Sequence, residues 1–302
     1  MKRKVIQLAG KTLVVTLPTE WARKYNVKKG DEIDVDEIKN KLVIGSEKEL
    51  GKEKISLDVS GLSPMIYRIL GAVYKAGYDE VEVRYESEKD LEEIEEVSKR
   101  EFIGFEIVKK GKNSLVIKSV SEINYKEFDN VLRRTFLLIL EIAEDGLKAI
   151  KNSDKKMLLK LIELDKEVNK YADFCRRILN KKGYASFVKT PTIYFIVEEL
   201  EKVSDAYRDL CKASTEIDKK IDKDIEAVFN DVNVFFREFY ELFYKFDMNG
   251  LAEHGKKRNA LNKNIKNLMK TTSKEELLML FFLSLIVEEI FNMNGVLIAS
   301  KL

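Results

Sequence analysis

The pattern of apolar and polar positions changes twice along the chain and divides it into three regions. Up to about residue 50, short apolar runs alternate with turn residues, as is typical of strands. Between residues 53 and 120, strand-like and helix-like runs alternate. From residue 121 to residue 302 the apolar positions recur every three to four residues, which predicts helices. The pattern therefore predicts a multidomain α+β protein.

The first region predicts short strands around one short helix. Apolar runs flank a turn at Gly10, and Pro18 suits the first turn of a helix. A second turn at Gly30 separates that helix from two further strands, over 32–36 and 41–44. A unit of this size with so few apolar residues cannot easily bury a core of its own. We therefore expect residues 1–50 to associate with a second copy.

The middle region, residues 53–120, predicts a small α/β domain with helices over one sheet. Its predicted strands and helices are 55–59, 63–76, 81–85, 88–99, 104–108 and 115–120. No motif in this region carries recognisable chemistry.

The third region predicts a bundle of six long helices. They are expected at 127–151, 154–181, 190–214, 217–246, 249–270 and 273–301. A shift of 90 residues aligns Leu161 with Leu251 and Ile196-Val197-Glu198-Glu199 with Ile286-Val287-Glu288-Glu289. Matches on two helices in one register indicate two three-helix repeats, at about 121–215 and 216–302.

Composition argues against an enzyme and against a membrane protein. The chain has one histidine, His254, in an apparently exposed run, so His-dependent nucleophilic triads and zinc sites lack their residues. Cys175 and Cys211 lie in predicted helices and are expected to be buried, reduced thiols. The apolar stretch 277–287 is too short to span a bilayer and predicts a buried helix. We expect a cytoplasmic protein without membrane insertion.

The first region resembles the SpoVT-AbrB family. The similarity lies in a strand running into Pro18, a short helix around Trp21, the turn Val27-Lys28-Lys29-Gly30-Asp31 and the closing strand Lys41-Leu42-Val43-Ile44. This resemblance implies a swapped-hairpin β-barrel formed by two chains, which binds DNA or, in some relatives, only dimerises.

The helical region resembles the PhoU family of phosphate-uptake regulators. Glu199-Leu200-Glu201-Lys202-Val203-Ser204-Asp205 is similar to that family's Leu-Glu-Arg-Ile-Gly-Asp helix, although Ser204 replaces Gly and Ala206 replaces His. Leu164-Asp165-Lys166-Glu167-Val168-Asn169 is similar to its Asp-x-x-(Val/Ile)-Asn helix. Archaeal phosphate-uptake regulators join these two kinds of domain in this order. The resemblance implies a modulator of phosphate transport whose helix-borne carboxylates can hold metal ions.

Positive charge is concentrated near the N-terminus, although the whole chain carries only +2. Residues 1–29 contain eight basic side chains and one acidic side chain, a balance of +7. Such a concentration is what contact with DNA phosphates requires, although a solvated basic surface would look the same. The candidate DNA-binding residues are Lys2, Arg3, Lys4, Lys11, Arg23 and Lys24.

An acidic stripe in the first repeat forms a candidate metal site. Glu201, Asp205 and Asp209 recur every four residues and share one helix face, where Asp165 of the neighbouring helix could join them. Asp165, Glu201 and Asp205 are the candidate oxygen ligands for a divalent metal ion or iron. The alternative is an acidic stripe paired with Lys202, Arg208 or Lys212. The second repeat has Gly255, Phe291 and Gly295 at the equivalent positions.

The sequence thus favours a homodimeric, phosphate-responsive regulator of phosphate uptake that binds duplex DNA and is not an enzyme. The alternative function is an adaptor that contacts a phosphate-transporter ATPase or a signalling kinase through its helices, with the N-terminal domain serving only to dimerise.

Overall fold

A computed structural model describes residues 2–8, 10–38, 40–46, 53–120, 127–217 and 220–302. The chain divides into two compact units, Met1–Ile55 and Ser56–Leu302. The second unit contains both the middle domain and the helical bundle. The boundaries predicted near residues 50 and 121 lie outside the described residues.

The N-terminal unit consists of two β-hairpins and one short helix. Its elements are β1 (Ile6–Leu8), β2 (Thr12–Val14), α1 (Thr19–Lys24), β3 (Asp34–Ile38) and β4 (Lys41–Gly45). β1 pairs antiparallel with β2, and β3 pairs antiparallel with β4. The turn residues Gly10 and Gly30 have φ angles of 82° and 92°, which residues with a Cβ rarely adopt. Both predicted turns and the helix behind Pro18 are confirmed.

The predicted barrel is not present within one chain. The described strands of residues 2–46 form two separate two-stranded sheets, with no closed sheet among them. A swapped-hairpin barrel interleaves strands from two chains, so a single chain supplies only part of its hydrogen bonds. The barrel therefore stays a prediction about the dimer.

The middle domain is a four-stranded sheet with two helices. Its elements are β5 (Lys54–Asp58), α2 (Ile66–Ala76), β6 (Glu80–Arg84), α3 (Glu88–Arg100), β7 (Phe105–Lys110) and β8 (Ser114–Ser119), with strand order β5-β6-β8-β7. Val81 and Val83 of β6 lie opposite Ile117 and Leu115 of β8, and all four side chains are buried. Alternate residues thus form the core face, as the period of two predicts. Ser87 and Asp90 form a capping box that fixes the start of α3.

The bundle contains the six predicted helices, joined by short segments. They are α4 (Phe128–Lys151), α5 (Lys155–Lys182), α6 (Thr190–Ser214), α7 (Lys223–Tyr244), α8 (Met248–Leu268) and α9 (Lys274–Lys301). α7 begins six residues later than predicted, because the Asp222 carboxylate caps it by accepting from the Asp224 backbone N–H at 2.7 Å. None of the helices within the described ranges is long and apolar enough to cross a membrane.

One continuous apolar core lies between these six helices. Phe235, Phe236 and Phe239 of α7 are fully buried in it. Cys175 and Cys211 are buried free thiols, as predicted. Burial raises the pKa of the Cys211 thiol to about 12, so it stays protonated and unreactive near neutral pH.

Arg177 of α5 ties the middle domain to the bundle. Its side chain is 1% exposed and donates to the Tyr74 carbonyl at 2.7 Å and to the Asp79 carboxylate at 3.2 Å. The guanidinium also lies over the Tyr74 ring, 4.9 Å from its centroid. One turn further along α5, Lys181 pairs with Asp79 at 2.5 Å. Cationic side chains of α5 therefore bind the C-terminal end of α2, where the helix dipole favours positive charge.

Replacing Arg177 with Ala should destabilise the second unit by about 3 kcal/mol, because Asp79 and the Tyr74 carbonyl lose a buried partner. Urea unfolding followed by circular dichroism measures the loss. The matched control is Arg100→Ala, which breaks the exposed pair of Arg100 with Glu96 and should cost only a small fraction of that loss. Equal losses in the two variants would contradict the proposed role of Arg177.

Candidate functional site

The six candidate DNA-binding residues all lie on the surface of the N-terminal unit. Lys2, Arg3 and Lys4 precede β1, Lys11 lies in the turn before β2, and Arg23 and Lys24 form the last turn of α1. All six side chains are exposed. Lys24 approaches Glu53 at 4.0 Å, an ion pair that water and salt weaken. The placement leaves this basic set accessible to a partner.

The described residues of the same unit form no buried core. None of the side chains described within residues 2–46 is buried. Leu13, Leu42 and Val5 are 70%, 65% and 65% exposed, which is unusual for several large apolar side chains in so small a unit. An isolated two-stranded hairpin is marginally stable in water. This unit therefore requires an apolar partner.

In the first repeat, Asp165 and Asp205 are brought together by Arg208. Asp165 is 1% exposed and accepts hydrogen bonds from the Ser204 hydroxyl at 2.6 Å and from Arg208 Nη1 at 3.0 Å. The same nitrogen of Arg208 donates to Asp205, and Arg208 Nε donates to Asp209 at 3.0 Å. Burial opposes protonation of Arg208, but the hydrogen bond with Asp209 and the neighbouring carboxylates raise its pKa. Arg208 therefore stays charged in this cluster.

Glu201 does not join that cluster. Its carboxylate forms an ion pair with Arg176 of α5, which also contacts Glu198 at 2.8 Å and Asp173 at 3.4 Å. The sequence analysis offered, as the alternative to a metal site, an acidic stripe paired with basic side chains. It named Arg208 among these partners but not Arg176. The only sequence signal for Arg176 is two consecutive arginines within an otherwise amphipathic helix.

The predicted metal ligands are thus divided between two guanidinium groups. Within the described part of the chain, no group of three or more His, Cys, Asp or Glu side chains is arranged to hold a metal ion. Metal binding by Asp165, Glu201 and Asp205 stays a prediction. It would require both Arg176 and Arg208 to move, so the donor set as it stands does not fit a metal ion.

The middle domain reaches this acidic region, which the sequence did not indicate. Lys75 of α2 pairs with Asp173 at 3.4 Å. Burial, followed by the charges of Glu101 and Asp173, raises the pKa of Tyr67 to about 12. The start and the end of α2 thus both lie near carboxylates of the first repeat.

The second repeat contains a buried neutral polar pair, His254 and Asn294. His254 is 2% exposed, so the expectation of an exposed histidine is wrong. Its Nε2 lies 3.1 Å from the Phe235 carbonyl and its Nδ1 lies 3.2 Å from the Asn294 amide nitrogen. Since a carbonyl only accepts, Nε2 carries the proton and Nδ1 accepts from Asn294. The buried ring is therefore neutral.

Two glutamates related by the 90-residue shift meet between the repeats. Glu199 of α6 is 1% exposed, accepts from Lys202 at 2.6 Å and lies against Glu289 of α9. Burial and the hydrogen bond with Glu289 raise the pKa of Glu199. Contact between equivalent residues is expected where two copies of a unit pack about an approximate two-fold axis. It supports the predicted duplication.

An open groove of about 630 Å³ runs along α7 and α8. Its charged lining is largely paired, with Lys257 bonded to Glu238 and Lys256 to Glu253, each at 2.7 Å. The groove therefore has no concentration of one charge that would select a ligand.

Comparison with known proteins relates the N-terminal unit to a known family. The family model "Antidote-toxin recognition MazE, bacterial antitoxin" matches residues 6–52. The N-terminal unit is therefore a MazE/AbrB-like domain. Among solved structures, the phosphate transport system regulatory protein PhoU from Streptococcus pneumoniae is similar, with 18% identity and a TM-score of 0.49. That similarity covers 59% of this chain and 95% of the PhoU chain. The comparison with curated proteins gave no match.

The stability of the fold should decrease as the pH falls below 6.5, because burial lowers the pKa of His254 below that value. The unfolded chain then takes up the proton first. The stability that neutral His254 contributes is complete above pH 6.5 and is lost as the pH falls towards the folded-state pKa.

Urea unfolding of the wild type and of His254→Gln over this pH range tests the prediction. Carboxyl groups with raised pKa values, such as Glu199, act in the opposite direction and are common to both proteins. The difference between the two therefore isolates His254. Identical pH dependence in both would rule out the neutral buried ring.

Proposed function

We propose that this chain is a cytoplasmic, homodimeric, phosphate-responsive regulator of phosphate uptake that binds duplex DNA through its N-terminal unit. The observation that carries the proposal is an N-terminal MazE/AbrB-like unit with exposed apolar residues and an exposed basic set. Dimerisation would cover the apolar residues and double the number of basic side chains on one particle. The doubled positive charge favours binding to a polyanion.

The phosphate part of the proposal rests on the helical repeats. The segments of α5 and α6 that resemble the PhoU family contain Asp165 and Ser204, and the structure joins these two residues by a 2.6 Å hydrogen bond. The two segments that carry the resemblance thus lie side by side, although this particular bond uses Ser204, where the family has Gly. This supports a shared helical arrangement with that family, from which we infer a role in phosphate regulation.

A second candidate function is an adaptor without DNA binding. In that case the bundle would contact a transporter ATPase or a signalling kinase, and the N-terminal unit would only dimerise. Co-purification with a transporter ATPase, together with failure to bind DNA, would select this alternative.

Dimerisation should depend on the apolar residues of the N-terminal unit. The variant Leu13→Asp/Leu42→Asp should weaken self-association at least about a thousandfold, because each buried Leu contributes about 2 kcal/mol and a dimer contains four. Sedimentation velocity over a concentration series measures the change. The control is Leu159→Asp on α5, a leucine that is 59% exposed and whose replacement should leave the dimer intact. A stable dimer of the double variant would place the interface elsewhere.

DNA binding should be electrostatic and should depend on the basic set. If the dimer neutralises about six phosphates, log K should fall with log salt at a slope of about −5. Replacing Arg3 and Arg23 with Ala removes four charges per dimer and should flatten the slope by about three units if all four contact phosphate. Titration of promoter fragments from phosphate-transport operons at several salt concentrations tests this.

The matched control for the DNA experiment is Lys263→Ala/Lys266→Ala. It removes the same charge from exposed positions on α8 and should leave the slope unchanged. If the arginine and lysine variants behave alike, the binding is not directed by the N-terminal unit. If the wild type does not bind, the adaptor function is favoured.

A further inference from the structure

We propose that Arg208 is the resident cation of the carboxylate cluster in the first repeat, so that this cluster is complete without a metal ion. The inference does not depend on the proposed function, since it concerns only which cation Asp165, Asp205 and Asp209 share.

The position of the Arg208 guanidinium is the main argument. A single nitrogen, Nη1, donates to both Asp165 of α5 and Asp205 of α6, and it lies 3.0 Å from the Asp165 oxygen. A metal ion that bridged these two helices would have to bind between the same two carboxylates. The guanidinium therefore occupies the space that a bridging ion would need.

The second argument is that the Asp165 carboxylate is buried and already hydrogen-bonded. Its carboxylate is almost completely buried, so its charge must be compensated by a partner within the protein. The hydrogen bonds from the Ser204 hydroxyl and from Arg208 use both of its oxygens, Oδ1 and Oδ2 respectively. Each oxygen thus already has a donor, and the donor on Oδ2 is itself the cation that compensates the buried charge.

The third argument comes from the second repeat. The position equivalent to Arg208 is Ile298, and the positions equivalent to Asp165, Asp205 and Asp209 are Gly255, Gly295 and Ala299. The cation and the three carboxylates are thus absent together at the equivalent positions. This is expected if the four side chains form one self-contained unit.

The proposal predicts that removal of Arg208 creates a metal site. In Arg208→Ala the carboxylates of Asp165, Asp205 and Asp209 lose their shared cation and present oxygen ligands suited to Mn²⁺. The melting temperature of this variant should be lower than that of the wild type. It should rise again with each tenfold increase in MnCl₂ concentration, because a ligand that binds only the folded state stabilises it.

The wild-type full-length protein provides the complementary test. Protein purified without chelator should contain no stoichiometric metal, and its melting temperature should change with neither MnCl₂ nor EDTA. The additional variant Arg208→Ala/Asp165→Asn should lose the response to Mn²⁺ shown by Arg208→Ala. The matched control, Arg237→Ala, removes an arginine from a surface pair with Glu144 and should not respond to Mn²⁺.

Two results would overturn the proposal. Stoichiometric manganese, iron or another metal in the wild type that disappears in Asp165→Asn would show that a metal is the resident ion. A response of Arg208→Ala to Mn²⁺ no greater than that of Arg237→Ala would show that Arg208 does not occupy a cation position. If Arg208→Ala does not fold, Arg208→Lys, which keeps the charge, should fold without metal, and a requirement for metal in that variant would also overturn the proposal.

Discussion

The packing of the second unit depends on one constraint, which is that the ionised side chains buried on α5 must be paired. Asp165, Arg176 and Arg177 are each no more than 2% exposed. An uncompensated buried charge costs several kcal/mol, so each of these residues requires a partner on a neighbouring element. Asp165 and Arg176 determine how α6 lies against α5, through Arg208 and Glu201 respectively. Arg177 determines where the middle domain docks, through Tyr74 and Asp79. The charges of one helix thus connect the middle domain with the bundle.

The N-terminal unit differs from the second unit, because none of its described side chains is buried and it shows no core that could stabilise it alone. Its hairpins are short, and its large apolar side chains, among them Leu13 and Leu42, face solvent. If this unit dimerises as proposed, its folding would be coupled to the presence of a second copy. In a DNA-binding protein this coupling is useful, since only the assembled dimer would present two copies of the basic set.

The sequence predicted those features that depend on local patterns, and it missed those that depend on which helices meet. The period of the apolar positions gave all six helices of the bundle, and Gly10, Pro18 and Gly30 gave the organisation of the N-terminal unit. Residue spacing also placed Asp205 and Asp209 on one face of α6, and both contact Arg208 there. The pairing of Glu201 with Arg176 and the burial of His254 could not be predicted, because both depend on the packing of one helix against another. His254 is followed by Lys256, Lys257 and Arg258, and these charged neighbours led to the wrong expectation that the histidine is exposed.

The two repeats share their arrangement of helices but differ in the polar contact between their second and third helices. In the first repeat, α5 and α6 are joined by the hydrogen bond from Ser204 to Asp165, and the charge is balanced by Arg208. In the second repeat, the residue equivalent to Ser204 is Asn294, and it contacts His254, which lies next to the equivalent of Asp165. Both arrangements satisfy buried polar groups between the second and third helices of a repeat. Only the first arrangement contains charged side chains, and only the first repeat contacts the middle domain through the pair of Lys75 with Asp173 and the hydrogen bond of Arg177 with Tyr74. The charged arrangement and the polar contacts with the middle domain thus share one helix, because Asp165, Asp173 and Arg177 all lie on α5.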